Sequence, residues 1–254
     1  MSDRAVQDEV IRALADAPYR ASAAWRDRGL AEAARVERFA RFLARHFYHE
    51  RVVHFFRYSG ALARVTGRRP EAVLGQVAFD ALLAGAVLGS RDTARAVAAL
   101  VVAHVVGGSP SAVPYHADLV RYEETMMVVE AGPRVWRDSG KGETGKGTTP
   151  ERVEGTALLD LDHDLPAVLP ALLRPWTTPP EAPRRPTRLL VARSPHGRVT
   201  VARADEVVAS IVRFSDGVRT LDDLAQAAGV ETDQLEATLS GLTEIGAVRF
   251  STGS

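Results

Sequence analysis

The chain has 254 residues, 32 basic and 32 acidic side chains, and no cysteine. The absence of thiols excludes disulfides, thiolate metal sites and a cysteine nucleophile. The zero net charge gives no global attraction to nucleic acid or to a membrane surface.

The chain is long enough for one or two domains with a substantial core. Residues Met1–Ala5 show no apolar signal segment, and the longest apolar run, Val97 to Val106, is too short to span a bilayer. A cytoplasmic protein is the expectation.

Residues 5 to about 137 read as helical. Val6, Val10 and Leu14 mark a first amphipathic helix that breaks near Pro18. The longest is predicted over Arg35–Ser59, with Val36, Phe39, Leu43 and Phe47 on one stripe. Pro70 at a first helical position opens Glu71–Leu88, and Ser90 is the N-cap candidate for Asp92–Val106. Tyr115–Val135 completes the helical part.

A polar, Gly-rich stretch follows, Ser139 to Pro150, and reads as a loop. Val153–Leu161 reads as a strand and Leu165–Leu173 as a short helix. The proline-rich stretch 175–186 reads as extended linker. The domains predicted on this basis are a helical docking domain, 1–137, a flexible loop, 138–152, and a third region, 153–254.

The last third holds the densest pattern. Leu189–Ala192 and Arg198–Ala202 are β-prone runs around a Ser194-Pro195-His196-Gly197 turn. Val207, Val208, Ile211 and Phe214 recur at helical spacing. Thr220 followed by Asp222 and Asp223 marks an N-cap, and Gly229 a stop. Leu235, Leu239, Leu242 and Ile245 form the stripe of a third helix, and Val248–Phe250 is a closing strand. The expected fold class is α+β: an all-helical domain, then a winged helix with the order strand, strand, helix, helix, helix, strand.

A winged helix commonly reads DNA, and a transcription regulator is one alternative. Its third helix here carries Glu231, Asp233, Glu236 and Glu244 and neither Lys nor Arg. Phosphate neutralisation supplies much of DNA affinity, so an acidic helix is the wrong instrument.

Three constellations invite chemistry. Gly140, Gly145 and Lys146 approach a phosphate-binding loop, but Gly147 stands where a magnesium-ligating hydroxyl is needed and no strand leads in. His46, His49 and Glu50 are spaced to share a helix face, which makes a stand-alone metal enzyme a second alternative; no further ligand cluster accompanies them. Arg35 to Arg69 holds nine arginines against Glu37 and Glu50. That imbalance fits an electrostatic docking surface on which Arg38, Arg41, Arg45 and His49 meet a partner. No Ser-His-Asp set or carboxylate pair stands out.

The stretch GRVTVARADEVVASIVRFSDGVRTLDDLAQAAGVETDQLEATLSGLTEIGAVRF resembles the peptide-recognition domain of peptide-modifying systems, whose prototype is the peptide chaperone of pyrroloquinoline quinone biosynthesis. The stretches RFARFLARHFYHERVVHFFRYSGALARVTGRRPEAVL, FDALL and DLVRYEETMMVVEAGPRVW are similar to the helical domain of partner proteins of multinuclear non-haem iron oxidative enzymes. Those partners serve 3-thiaglutamate- and methanobactin-type pathways to ribosomally made peptides.

The resemblance implies a non-catalytic subunit, with no cofactor of its own, that forms a heterodimer with an iron enzyme acting on a peptide cysteine. It also implies that a leader peptide adds as a strand along Arg198, Thr200, Val201, Ala202 and Arg203. The last helix would then contribute Gln234, Leu235, Thr238 and Leu239. Neither nucleic acid nor membrane enters that picture.

Overall fold

In a computed structural model the chain is mixed α+β. The described residues are 3–29, 32–107, 113–132 and 148–252. The chain divides into two compact units. Unit 1 is Met1–Ala131 with Leu169–Pro180, and unit 2 is Gly132–Val168 with Glu181–Ser254. The proline-rich stretch is therefore shared between units, its first part belonging to unit 1.

Unit 1 is built from helices α1 (Asp3–Ala15), α2 (Ala17–Ala21), α3 (Ala23–Arg26), α4 (Ala33–Phe55), α5 (Arg57–Thr66), α6 (Val77–Leu83), α7 (Arg91–Val106) and α8 (His116–Glu130). A 3-10 turn, Pro70–Gly75, precedes α6. The main core gathers Tyr48, Val52 and Phe55 of α4, Val97 and Val101 of α7, Val120 and Met127 of α8, and Phe79 of α6. Ser90 caps α7 as expected, its hydroxyl accepting from Thr93 N–H at 3.2 Å.

Three helices differ from expectation. The predicted Tyr115–Val135 helix ends at Glu130, where Ala131 turns extended (ψ 151°), and residues 133–135 lie outside the described residues. The predicted Glu71–Leu88 helix is the 3-10 turn followed by short α6, with Gln76 extended between them (φ −88°, ψ 149°). The predicted Arg35–Ser59 helix breaks at Phe56. Tyr58 and Ser59 would donate their N–H groups back into α4 if it continued. They donate instead to the buried carboxylate of Glu123 on α8, at 2.7 and 3.1 Å. A side chain 65 positions away thus starts a new helix.

The buried face of α4 also differs. It is Val36, Ala40, Ala44, Tyr48, Val52 and Phe55, whereas Phe39 is 51% exposed. Alanines at the contact let neighbouring helices approach closely, so the face follows backbone proximity rather than side-chain size.

Unit 2 contains strands β1 (Thr148–Arg152), β2 (Ala157–Leu161), β3 (Thr187–Arg193), β4 (Val199–Arg203) and β5 (Val248–Thr252), with helices α10 (Glu206–Phe214), α11 (Leu221–Ala228) and α12 (Thr232–Glu244). Helix α9 (Leu165–Leu172) crosses the chain boundary between units. Strands β2, β3 and β4 form one antiparallel sheet in that order. Central β3 is almost wholly buried, which suits its unbroken apolar run.

The closing strand β5 pairs with β1, from Thr148↔Thr252 to Arg152↔Val248. The expected loop 138–152 therefore ends in a strand, and its residues 138–147 lie outside the described residues. Polar composition and Pro150 hid β1, but Pro150 sits where pairing does not need its N–H. Val153 N–H donates to Ala247 O, which makes 149, 151 and 153 the bonded positions of β1.

Helices α10, α11 and α12 pack Ile211, Val212, Leu224, Leu235, Leu239 and Leu242 around Leu190 and Ala192 of β3. Thr220 and Asp223 form a reciprocal capping box on α11, and Gly229 closes it in the left-handed region (φ 67°). Among the described residues no helix is long and apolar enough to cross a membrane.

Candidate functional site

Each unit presents one candidate surface. In unit 2 it is the outer edge of β4, and its free backbone groups follow from the register. Ser194 N–H donates to Arg198 O at 2.8 Å, and Ala204 N–H donates to Arg188 O at 3.0 Å. Bonded pairs in an antiparallel ladder recur every second residue. Ala192↔Thr200 and Leu190↔Ala202 are therefore bonded pairs as well.

Thr200 and Ala202 consequently turn their N–H and C=O groups inward to β3. Val199, Val201 and Arg203 turn theirs outward, and among the described residues no strand pairs with that edge. Of the residues expected to meet a peptide, Val201 and Arg203 offer backbone groups, whereas Thr200 and Ala202 spend theirs on the ladder. Val199 was missed because a five-residue alternating strand does not reveal which parity faces its neighbour. Arg198 belongs to the hairpin turn, its N–H donating to Ser194 Oγ at 3.2 Å.

The β4 edge carries little of what normally blunts an edge. Val199, Thr200, Val201 and Ala202 are uncharged and half-buried, with neither proline nor bulge. The charge comes only at Arg203, and its guanidinium is held by Asp164. Asp164 is buried and also accepts from Arg185. Burial pushes its carboxyl up, but the two guanidiniums outweigh that and its pKa ends below the usual aspartate value.

On α12 the four expected residues divide. Leu235 and Leu239 are buried among core side chains and are not available to a peptide. Gln234 is exposed. Thr238 is half-buried, its hydroxyl donating to Gln234 O at 2.8 Å. Helix α12 packs on α10, α11 and β5.

In unit 1 the candidate surface is the outward face of α4. Arg41 is already paired with Glu37 at 2.6 Å, and Arg45 with Asp80 and the Leu74 carbonyl. Those two charges serve the unit itself. Arg38 and His49 are exposed.

Beside them Phe39, expected on the buried stripe, turns outward with Phe42. Phe39 and Phe42 are 51% and 64% exposed and stacked, with centroids 6.3 Å apart and planes 15° from parallel. Phe39, Phe42, His46, His49 and exposed Val53 follow 3-4-3-4 spacing along one helix face.

His46 Nε2 lies 3.3 Å from Glu50 Oε1, an exposed pair in the helix. Among the described residues, no group of three or more His, Cys, Asp and Glu is placed to hold a metal ion. The Gly140–Gly147 segment lies outside the described residues. The chain matches no known family model and no curated protein.

Proposed function

We propose that this chain is a non-catalytic partner subunit. Unit 2 acts as a winged-helix peptide-recognition element that takes the leader of a ribosomally made precursor peptide. Unit 1 docks on the multinuclear iron enzyme that modifies the peptide's cysteine. The observation that carries this reading is the outward row of backbone groups at Val199, Val201 and Arg203 on an unblunted edge. A peptide strand added there gains main-chain hydrogen bonds, and flanking side-chain pockets supply selectivity.

Supporting it are the order β3, β4, α10, α11, α12, β5 and an acidic α12, which disfavours the DNA-reading use of that order. The exposed Phe39–Phe42 pair, flanked by Arg38, offers the enzyme an apolar anchor with a basic rim. This refines the docking set Arg38, Arg41, Arg45 and His49 toward residues whose groups are not already engaged.

Genes for a short peptide and an iron enzyme are expected beside this one, and the test uses their products. The full-length protein should co-elute with both. Val201→Pro removes an outward N–H and should weaken peptide binding while the fold, read by circular dichroism, persists. Phe42→Ser should weaken enzyme association and leave peptide binding alone. If a folded Val201→Pro binds the peptide as the parent does, the β4 edge is not the site. Absence of an iron enzyme and a short peptide from the neighbouring genes would remove the wider reading.

A further inference from the structure

We propose that unit 1 carries an oxyanion pocket, lined by residues other than those of its α4 docking surface, for a small organic ligand bearing two or more carboxylate or phosphate groups. The pocket is an open cleft of about 590 Å³, lined from three places. Arg57, Gly60, Ala61 and Arg64 come from one face of α5, at the spacing that aligns side chains along a helix. Arg69 and Glu71 come from the start of the 3-10 turn, and Leu172, Arg174 and Trp176 from the end of α9 and beyond it. That volume lies within the roughly 300–1,000 Å³ of small-molecule sites.

The charge is one-sided: four arginines face one glutamate. Several guanidiniums elsewhere are neutralised, as where Arg188 meets both Asp160 and Glu206. Among the described residues none of Arg57, Arg64, Arg69 and Arg174 forms a salt bridge; Arg57 feels Glu123 only through a longer-range attraction. Arg57 donates to the Tyr58 hydroxyl at 2.9 Å, and Arg64 sits over the Trp176 ring. Four like charges around one cavity repel, and a multiply charged anion relieves that repulsion. Guanidinium forks suit the paired oxygens of carboxylate and phosphate.

Two further details argue for a shaped site rather than a basic surface. The Trp176 indole N–H donates to Leu172 O at 3.1 Å, which fixes the ring, and the Arg64 guanidinium sits 3.3 Å from its centroid. One arginine is thereby pre-oriented before any ligand arrives. Gly60 lies inside α5, where glycine is less favourable than alanine. A Cβ there would meet nothing within 4 Å, so packing does not require glycine and the missing side chain leaves room. Leu172 and Ala61 give the ligand's body an apolar wall.

The experiment is calorimetric titration of the full-length protein at low ionic strength with pyrophosphate, citrate and hexaglutamate. One-to-one binding of pyrophosphate or citrate is expected, and which of them binds assigns phosphate or carboxylate. The double variant Arg64→Gln, Arg174→Gln should weaken it at least about tenfold, since two charge-assisted contacts are lost. Gly60→Glu should abolish it by supplying a carboxylate from within. Both changes lie at exposed positions, and circular dichroism checks their folding. Absence of saturable binding by either small anion overturns the proposal, as does binding unchanged in both folded variants. Binding of hexaglutamate alone also overturns it, because the arginines would then serve an acidic polypeptide.

Discussion

Glu123 on α8 accepts both the backbone N–H and the hydroxyl of Ser59, the third residue of α5. The carboxyl group is fully buried and also accepts from Tyr58 N–H at 2.7 Å. It does for α5 what an N-cap side chain does, but from another helix.

Removing that carboxylate should be costly. Glu123→Ala leaves two buried N–H groups without partners, at roughly 1–3 kcal/mol for each unsatisfied group. Denaturant unfolding should show the loss. A variant as stable as the parent would mean that water or a shifted backbone replaces the cap.

Titration of Glu123 gives a second signature. Burial pushes its pKa from 4.5 up to about 8, against the opposing pull of Ser59, Tyr58 and Arg57. Between those values the folded chain keeps a proton that the unfolded chain has released. This contribution to stability is full below about 4.5 and falls as pH rises toward 8. Glu123→Gln should flatten that slope, and identical pH profiles for parent and variant would contradict the assignment.

Asp164 should behave in the opposite sense. Its pKa is lowered in the folded state, so its ion pairs stabilise above the ordinary aspartate value and are lost as pH falls through the lower folded value. Unfolding of the parent and of Asp164→Asn should differ at pH 7 and converge in acid. An equal difference at both pH values would show that packing rather than charge matters there.

Gly246 and Gly197 form a matched pair, with φ of 77° and 79°. A Cβ on Gly246 would stand 2.2 Å from Arg193 O, whereas one on Gly197 meets nothing within 4 Å. Gly197→Ala should cost about 1–2 kcal/mol for the left-handed backbone. Gly246→Ala should cost about 1–3 kcal/mol more for the overlap. Melting curves of the two variants decide it, and equal losses would argue against the close approach.

Leu235 and Gln234 are neighbours on α12 with different duties. Leu235→Ala should cost about 2–5 kcal/mol as a core truncation. Gln234→Ala should stay within about 0.5 kcal/mol, as exposed substitutions do. If Leu235→Ala kept full stability and lost only peptide binding, α12 would have to be turned about its axis.

What the sequence made legible was local. Thr220 and Gly229 bound α11, Ser90 caps α7, and Leu235, Leu239 and Leu242 face the core, because caps and helical periodicity act within a turn or two. What escaped it depended on distant partners. The break at Phe56 depends on Glu123, β1 depends on β5, and the outward parity of Val201 depends on Ala192 bonding Thr200. Phe39 falls on an apolar stripe by spacing, but the helices packed on α4 meet the face of Ala40 and Ala44. The pocket arginines were visible as an excess of charge, but only the fold brings Arg174 and Trp176 to α5.

The β1–β5 ribbon bears on how the chain is made. Glu151 and Arg249, which pair across it at 2.8 Å, lie 98 residues apart. At a synthesis rate of about 5–20 residues per second, β1 leaves the ribosome roughly 5–20 s before β5 can reach it. In that interval β1 is an exposed edge on a nascent chain, and its proline and flanking charges, Pro150, Glu151 and Arg152, are the features that keep such an edge from pairing with a stranger. The polarity that disguised β1 as a loop is thus a safeguard during translation, and apolar substitutions there would raise aggregation of nascent chains more than they change the finished fold.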